Sequence, residues 1–176
     1  MAQDLWVFGY GSLMWDPAFR FSQVRRSSLS GYARQFILKD VYGGRGTAEK
    51  PGLMAALDLG DHCDGLLFRI AQQDIETETE ILWRREMVAP AYTPVFVPVQ
   101  VADVSVDALT FVADHSAAMI CPELTRSEQI NYIATGIGFL GSSKEYLSNI
   151  VNQFVALGIE DEHCSALLDE IENRRS

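Results

Sequence analysis

The sequence predicts an α+β fold: a mixed or antiparallel sheet, open or closed into a barrel, with one inserted helix and a C-terminal cluster of helices. Three observations predict it. Upstream of about residue 120 the apolar residues come in short runs bounded by glycine and proline, downstream they recur at helical spacing, and only one helical segment interrupts the runs. Strands that do not alternate with helices argue against a Rossmann or (β/α) barrel arrangement.

The elements follow in order. Leu5 to Tyr10 is an apolar run ending in glycines, and Ser30 to Leu38 sets Tyr32, Phe36 and Leu38 on one phase. Leu53 to Leu59, Leu66 to Ile70, Thr93 to Val101 and Val106 to Val112 complete the strands. Every odd position from Val95 to Val101 is valine, while Pro98, with no N–H to donate, assigns that run to a sheet edge or a bulge. Gly43-Gly44-Arg45-Gly46 and Lys50-Pro51-Gly52 read as loops. Asp74 is the N-cap of the inserted helix, whose apolar phase runs Ile75, Thr79, Leu82 and Trp83 until Pro90 stops it. Thr125 with Glu128 forms a capping box before Ile130, Ile133, Ala134 and Ile137. Ser142 with Glu145 forms a second, before Tyr146, Leu147, Ile150, Val151, Phe154 and Val155, and Gly158 closes that helix. A last helix, about Glu162 to Arg174, carries Leu167, Leu168 and Ile171 inward.

Composition sets the class. With 48% hydrophobic and 22% charged residues in 176, the chain reads as a single domain over 1–176 able to bury its own core, which excludes disorder, collagen and a disulfide scaffold. Fourteen basic against twenty-four acidic residues give a net charge of −10, which repels phosphate backbones and anionic lipid. Nucleic acid and membrane are therefore not expected partners. Cys63, Cys121 and Cys164 are widely spaced and odd in number, the pattern of free thiols in a reducing compartment, so a cytoplasmic protein is expected. The apolar Leu5-Trp6-Val7-Phe8 lacks a basic flank and is far too short to span a bilayer.

Three local features stand out as chemistry. Gly9-Tyr10-Gly11-Ser12-Leu13 follows the first strand, and its glycines let the backbone bend so that several N–H groups converge, a nest for a carboxylate or phosphate; its plainer reading is a turn at a strand end. Neither GxxxxGK[ST] nor GxGxxG is present. Glu86 lies four residues from Leu82, seven from Thr79 and eleven from Ile75, which puts a carboxylate in the apolar stripe. Burial there raises its pKa toward the range of a general acid or base; the competing reading lets it escape to solvent or be neutralised by Arg85 or Arg45. Arg84 and Arg85 read as solvated or structural, with the capacity to steer an anion. Tyr146, near the start of the Ser142-capped helix, either aims its hydroxyl into a cleft or is simply core. His62, His115 and His163 show no metal-ligand spacing, and no metal is expected.

Taken together, Trp6-Val7-Phe8-Gly9-Tyr10-Gly11-Ser12-Leu13-Met14-Trp15, Lys50-Pro51-Gly52, Leu82-Trp83-Arg84-Arg85-Glu86-Met87 and Phe139-Leu140-Gly141-Ser142 with Glu145-Tyr146-Leu147 resemble the ChaC family of glutathione-specific gamma-glutamylcyclotransferases. The resemblance runs in register from about residue 5 to the last helix. It implies a gamma-glutamylcyclotransferase-like fold, a small distorted beta-barrel with flanking helices. It also implies cofactor-free cleavage of glutathione, a small-molecule substrate, into 5-oxoproline and cysteinylglycine. The family's YGSL loop falls on Tyr10, Gly11, Ser12 and Leu13 and cradles the gamma-glutamyl group. Its catalytic glutamate falls on Glu86, and the tyrosine of its Glu-Tyr-Leu segment, which lines the pocket, on Tyr146. Family members commonly read Pro-Gly-Arg where this chain has Pro51-Gly52-Leu53. That departure keeps other gamma-glutamyl amines or dipeptides open as substrates, with Arg45 as a substitute for the missing arginine. A non-catalytic binding protein on the same fold is the remaining alternative.

Overall fold

The computed structural model describes residues 3–174. Strand β1 (Leu5–Gly9) is short and apolar, and it lies between two partners. It pairs antiparallel with β3 (Thr47–Ile70), from Leu5↔Ile70 to Gly9↔Leu66, and parallel with β5 (Val104–Ala113) at Trp6↔Ala108 and Val7↔Leu109. With β2 (Gln23–Tyr42) and β4 (Tyr92–Val101) the sheet order is β2-β3-β1-β5-β4, a mixed sheet. A straight β3 would run antiparallel to β5 throughout. Instead it meets β5 in parallel at Leu57↔Val112, so β3 turns along its length and the sheet curls beyond the end of β1.

The valine phase places β4 correctly. Among the described residues it is the edge strand, paired along β5, so Pro98 costs no ladder bond on a second side. Val97 and Val99 are buried while Phe96 faces out. The runs at 53–59 and 66–70 are two stretches of one strand rather than two strands. Lys50-Pro51-Gly52, expected as a loop, also belongs to β3. Gly43 to Gly46 is the loop between β2 and β3, closed by Gly43 N–H donating to Gly46 O at 2.8 Å.

Helix α1 (Ile75–Glu86) is the inserted helix. Its inner line is Glu78 and Leu82, flanked by half-buried Ile75, Thr79 and Glu86, while Trp83 is about half exposed at 51%, contrary to the expected phase. Thr79 turns its hydroxyl back to Ile75 O at 2.6 Å. The helix ends at Met87, which caps it through Trp83 O, before Pro90 is reached. Asp74 sits at the N-terminus without a side-chain cap bond.

The capping box at Thr125 is present in both directions and starts α2 (Arg126–Thr135). Gln129, Ile130 and Ile133 are its buried residues; Ala134 and Ile137, expected inward, are exposed, because the helix stops at Thr135 and Ile137 joins a two-stranded hairpin, β6 (Ile137–Gly138) and β7 (Gly141–Ser142). Ser142 caps α3 (Ser143–Leu157) by accepting from Glu145 N–H, and Gly158 closes it in the left-handed conformation at φ 63°. Helix α4 (Glu162–Asn173) buries Cys164, Leu167 and Ile171. Helices α2, α3 and α4 pack on one another.

The chain divides into two compact units, residues 1–34 with 57–114 and residues 35–56 with 115–176. The first has a core built on Phe8, Tyr10, Leu29, Leu57, Leu67, Val97, Val99 and Ala108. The second buries Phe36, Leu38, Leu53, Ile133, Leu147 and Leu167. The cysteines are free thiols. Among the described residues no helix is long and apolar enough to cross a membrane.

Candidate functional site

In the first unit, β1 runs out at Gly9 because the chain must bend, and the bend is crowded. A Cβ on Gly9 would stand 2.9 Å from Leu13 Cβ and 3.2 Å from the Phe68 ring. A single 3-10 turn over Ser12–Met14 follows, with Met14 N–H bonded to Gly11 O and Asp16 N–H to Ser12 O, both at 2.9 Å. The N–H groups that open such a turn have no acceptor within it and are available to an anion. Tyr10 and Leu13 turn their side chains inward, at 8% and 6% exposure. The Tyr10 hydroxyl donates to Phe111 O at 2.8 Å. The loop therefore offers its backbone and the half-buried Ser12 rather than the Tyr10 and Leu13 side chains.

A buried arginine holds this bend. Arg34 donates from Nε to Tyr10 O at 2.7 Å and from Nη2 to Asp64 O at 2.5 Å. Its signal was in the sequence, since Arg34 shares the phase of Tyr32, Phe36 and Leu38. A charged residue on an inward phase must find acceptors, and here it finds carbonyls.

Glu86 ends α1, one turn beyond fully buried Leu82, and its side chain is 15% exposed. Loss of hydration pushes its pKa from 4.5 up to about 7, against the smaller opposing effect of the Arg85 charge. The Arg85 guanidinium joins the carboxylate to the turn. Nε lies 4.0 Å from Glu86 Oε1, Nη2 donates to Ser12 Oγ at 3.1 Å, and Nη1 lies 3.4 Å from Asp16 Oδ2. Glu86 and the Tyr10–Leu13 turn, which the sequence places 73 to 76 residues apart, are thus brought to one place. Arg84 instead pairs with Glu80 on the exposed face of α1.

In the second unit, Arg45 and Tyr146 come together. The Arg45 guanidinium lies 5.7 Å from the Tyr146 ring centroid, and its Nη1 reaches Ser142 O at 3.4 Å and Glu145 Oε2 at 3.5 Å. Tyr146 is 5% exposed and meets Phe36 edge-on, with centroids 6.2 Å apart. Two residues not singled out from the sequence fix the Arg45 backbone. Buried Asp40 accepts from Arg45 N–H at 2.5 Å and from Tyr42 N–H at 2.9 Å. Fully buried Ser143 donates from Oγ to Arg45 O at 3.2 Å and accepts from Leu53 N–H at 2.9 Å. Leu53 itself is fully buried. Among the described residues no group of three or more His, Cys, Asp or Glu side chains is arranged to hold a metal ion.

The chain is similar to known proteins over most of its length. A glutathione-specific gamma-glutamylcyclotransferase of Escherichia coli is 36% identical over 169 residues, covering 93% of this chain and 71% of its own. The human glutathione-specific gamma-glutamylcyclotransferase 1 is 30% identical over 177 residues, covering 96% of this chain and 79% of its own. The crystal structure of a gamma-glutamyl cyclotransferase specific to glutathione from yeast superposes with a TM-score of 0.86 over 99% of this chain and the whole of that one at 20% identity, so the fold is shared. The family model for ChaC-like protein matches residues 5–174, taking in the Ser12 turn, Glu86 and Tyr146 alike. With that match running the length of the described chain, the protein belongs to the ChaC-like family.

Proposed function

We propose that the chain is a glutathione-specific gamma-glutamylcyclotransferase, releasing 5-oxoproline and cysteinylglycine. The observation that carries the reading is the Glu86 carboxyl, shielded from water, brought by burial to a pKa of about 7, and joined through Arg85 to the Ser12 turn. The activity named for the relatives of Escherichia coli and human supports it.

The chemistry is internal to one substrate. The alpha-amine attacks the gamma-carbonyl carbon, a C–N bond closes the five-membered lactam, and the C–N bond to cysteinylglycine breaks. Glutathione's ammonium must lose a proton for attack, and the departing amide nitrogen must gain one. Glu86 takes the first proton as carboxylate and returns it as acid, so no proton is consumed at the site. A pKa of about 7 suits both halves of that exchange near neutral pH. Backbone N–H groups over Gly11 to Leu13 and the Ser12 hydroxyl hold the gamma-glutamyl group folded. An oriented intramolecular attack gains on the order of 7–11 kcal/mol over a free encounter. Arg45 and Tyr146 are proposed as substrate-binding residues on the strength of the family resemblance and of their own mutual contact. We take residues 1–176 as one gamma-glutamylcyclotransferase-like domain, because β2 and β3 each run through both units in sequence, and the cytoplasm as its compartment, because its thiols are free.

The test is to incubate the protein with reduced glutathione, and separately with gamma-glutamyl dipeptides, and to quantify 5-oxoproline and the released amine by mass spectrometry. 5-Oxoproline from glutathione alone, abolished by Glu86→Gln in a folded protein, is the expected result. Product from dipeptides only would move the substrate and keep the mechanism. Turnover retained in folded Glu86→Gln would overturn the role of Glu86.

A further inference from the structure

Arg85 spends each nitrogen of its guanidinium on a different partner: Nε toward Glu86 at 4.0 Å, Nη1 toward Asp16 at 3.4 Å, and Nη2 on Ser12 Oγ at 3.1 Å. Its side chain is 24% exposed, so these contacts are partly shielded. A guanidinium holds its five N–H groups in a fixed plane, so the hydrogen bond to Ser12 sets how its other nitrogens face Asp16 and Glu86. The consequence for Ser12 is specific. Its oxygen accepts from Arg85, so its own hydrogen is directed elsewhere and is free to donate. For Glu86, the same cation is the charged group that faces the carboxylate, while Asp16 from the turn faces that cation in turn.

We propose that Arg85 is the positioning residue of the reaction, orienting the Ser12 hydroxyl as a donor to the gamma-glutamyl group and holding the Glu86 carboxylate in register with that turn. The inference rests on the cyclotransferase reading. It assigns Arg85 two separable contributions, a fork that orients Ser12 and a positive charge that favours ionised Glu86.

Two variants separate them, each assayed with reduced glutathione for 5-oxoproline across pH 5.5 to 9, a window of roughly two units either side of the Glu86 pKa. Arg85→Lys keeps the charge and loses the planar fork, so KM rises about tenfold while the acid limb of kcat/KM stays in place. Arg85→Gln loses both, so KM rises and the limb moves upward by about one pH unit. Arg84→Gln, whose parent side chain pairs with Glu80 at the surface, behaves as the unaltered protein. Thermal melting of each variant accompanies the kinetics. Variants that lower the melting temperature and kcat together, with KM and the limb unmoved, would make Arg85 a structural residue and overturn the inference. So would variants indistinguishable from the unaltered enzyme. If the unaltered protein releases no 5-oxoproline from glutathione, the reading of the reaction falls and this inference with it. If it does and only the Arg85 pattern is missing, the inference falls alone.

Discussion

Glu78 and Glu86 stand two turns apart on the inward side of α1, and their surroundings drive them in opposite directions. Glu78 accepts from the Arg20 backbone N–H and from Arg20 Nε, both at 2.8 Å, and these bonds hold its carboxyl below the ordinary range. Glu86 accepts no such bond, and desolvation raises it to about 7 with only Arg85 opposing. One helix thus carries a carboxylate kept charged as an anchor and another left able to gain and lose a proton.

The desolvated carboxyl has a cost in stability. Its folded pKa of about 7 exceeds the 4.5 of the unfolded chain, so between these values the native state binds more protons and stability falls as pH rises. Below pH 4.5 both states are protonated, and above about 7 the full penalty is present. Glu86→Gln removes the ionisation. We expect it to be more stable than the unaltered protein by about 3 kcal/mol at pH 8, with the gain shrinking toward zero near pH 4.5. Denaturant melts at both pH values check it, and an equal stability change at both would contradict it.

The anchor gives the mirror result. Glu78→Gln substitutes a donor-bearing amide where Arg20 presents two donors, so it lowers the melting temperature at neutral pH. Glu78 has its folded pKa depressed, so its contribution is present above the unfolded value and is lost as pH falls through the folded one. The melting curves of variant and parent should therefore converge in acid, below the usual carboxylate range. A constant gap down to that range would assign the effect to packing.

The elements that place Glu86 were legible because periodicity carries over directly into burial: the Leu82-to-Glu86 step of one turn sufficed. The same four-residue step taken back from Leu82 leads to Glu78, whereas the apolar phase read from the sequence runs through Thr79. The structure instead turns the Thr79 hydroxyl back on its own helix and buries the charged residue against Arg20. Arg34 marks the limit of that signal: its phase points inward, but periodicity cannot say which charged residue will find carbonyls to satisfy it. Pro51-Gly52 belongs to β3 rather than to the expected loop, because glycine there serves a close approach between backbones rather than a turn. Arg45, Ser143 and Asp40 meet through contacts across five to 98 residues, which local patterns do not encode.

Gly52 makes that distinction measurable. A Cβ there would strike Arg45 O and the Ser143 hydroxyl, and Gly136 in turn could not carry one beside Gly52. Gly52→Ala must therefore displace the backbone that seats Arg45, costing about 3 kcal/mol or more. Gly31, at φ 84° with open space around it, needs only its left-handed conformation, so Gly31→Ala should cost about 1 kcal/mol. Equal destabilisation of the two in urea melts would show that close approach is not what glycine provides at position 52.

Leu53, where the family resemblance implies an arginine, is wholly inside the second unit, with its N–H on Ser143 Oγ at 2.9 Å. An arginine introduced at this position would place a charge where the leucine side chain is fully buried. Leu53→Arg should therefore destabilise the protein by about 3 kcal/mol or more and leave the choice between glutathione and gamma-glutamyl dipeptides unchanged in whatever folded fraction remains. Stability is read from urea melts and selectivity from the ratio of 5-oxoproline released from the two substrates. A stable variant with a shifted ratio would mean that position 53 reaches the substrate, and that the buried leucine is a specificity device rather than a part of the core.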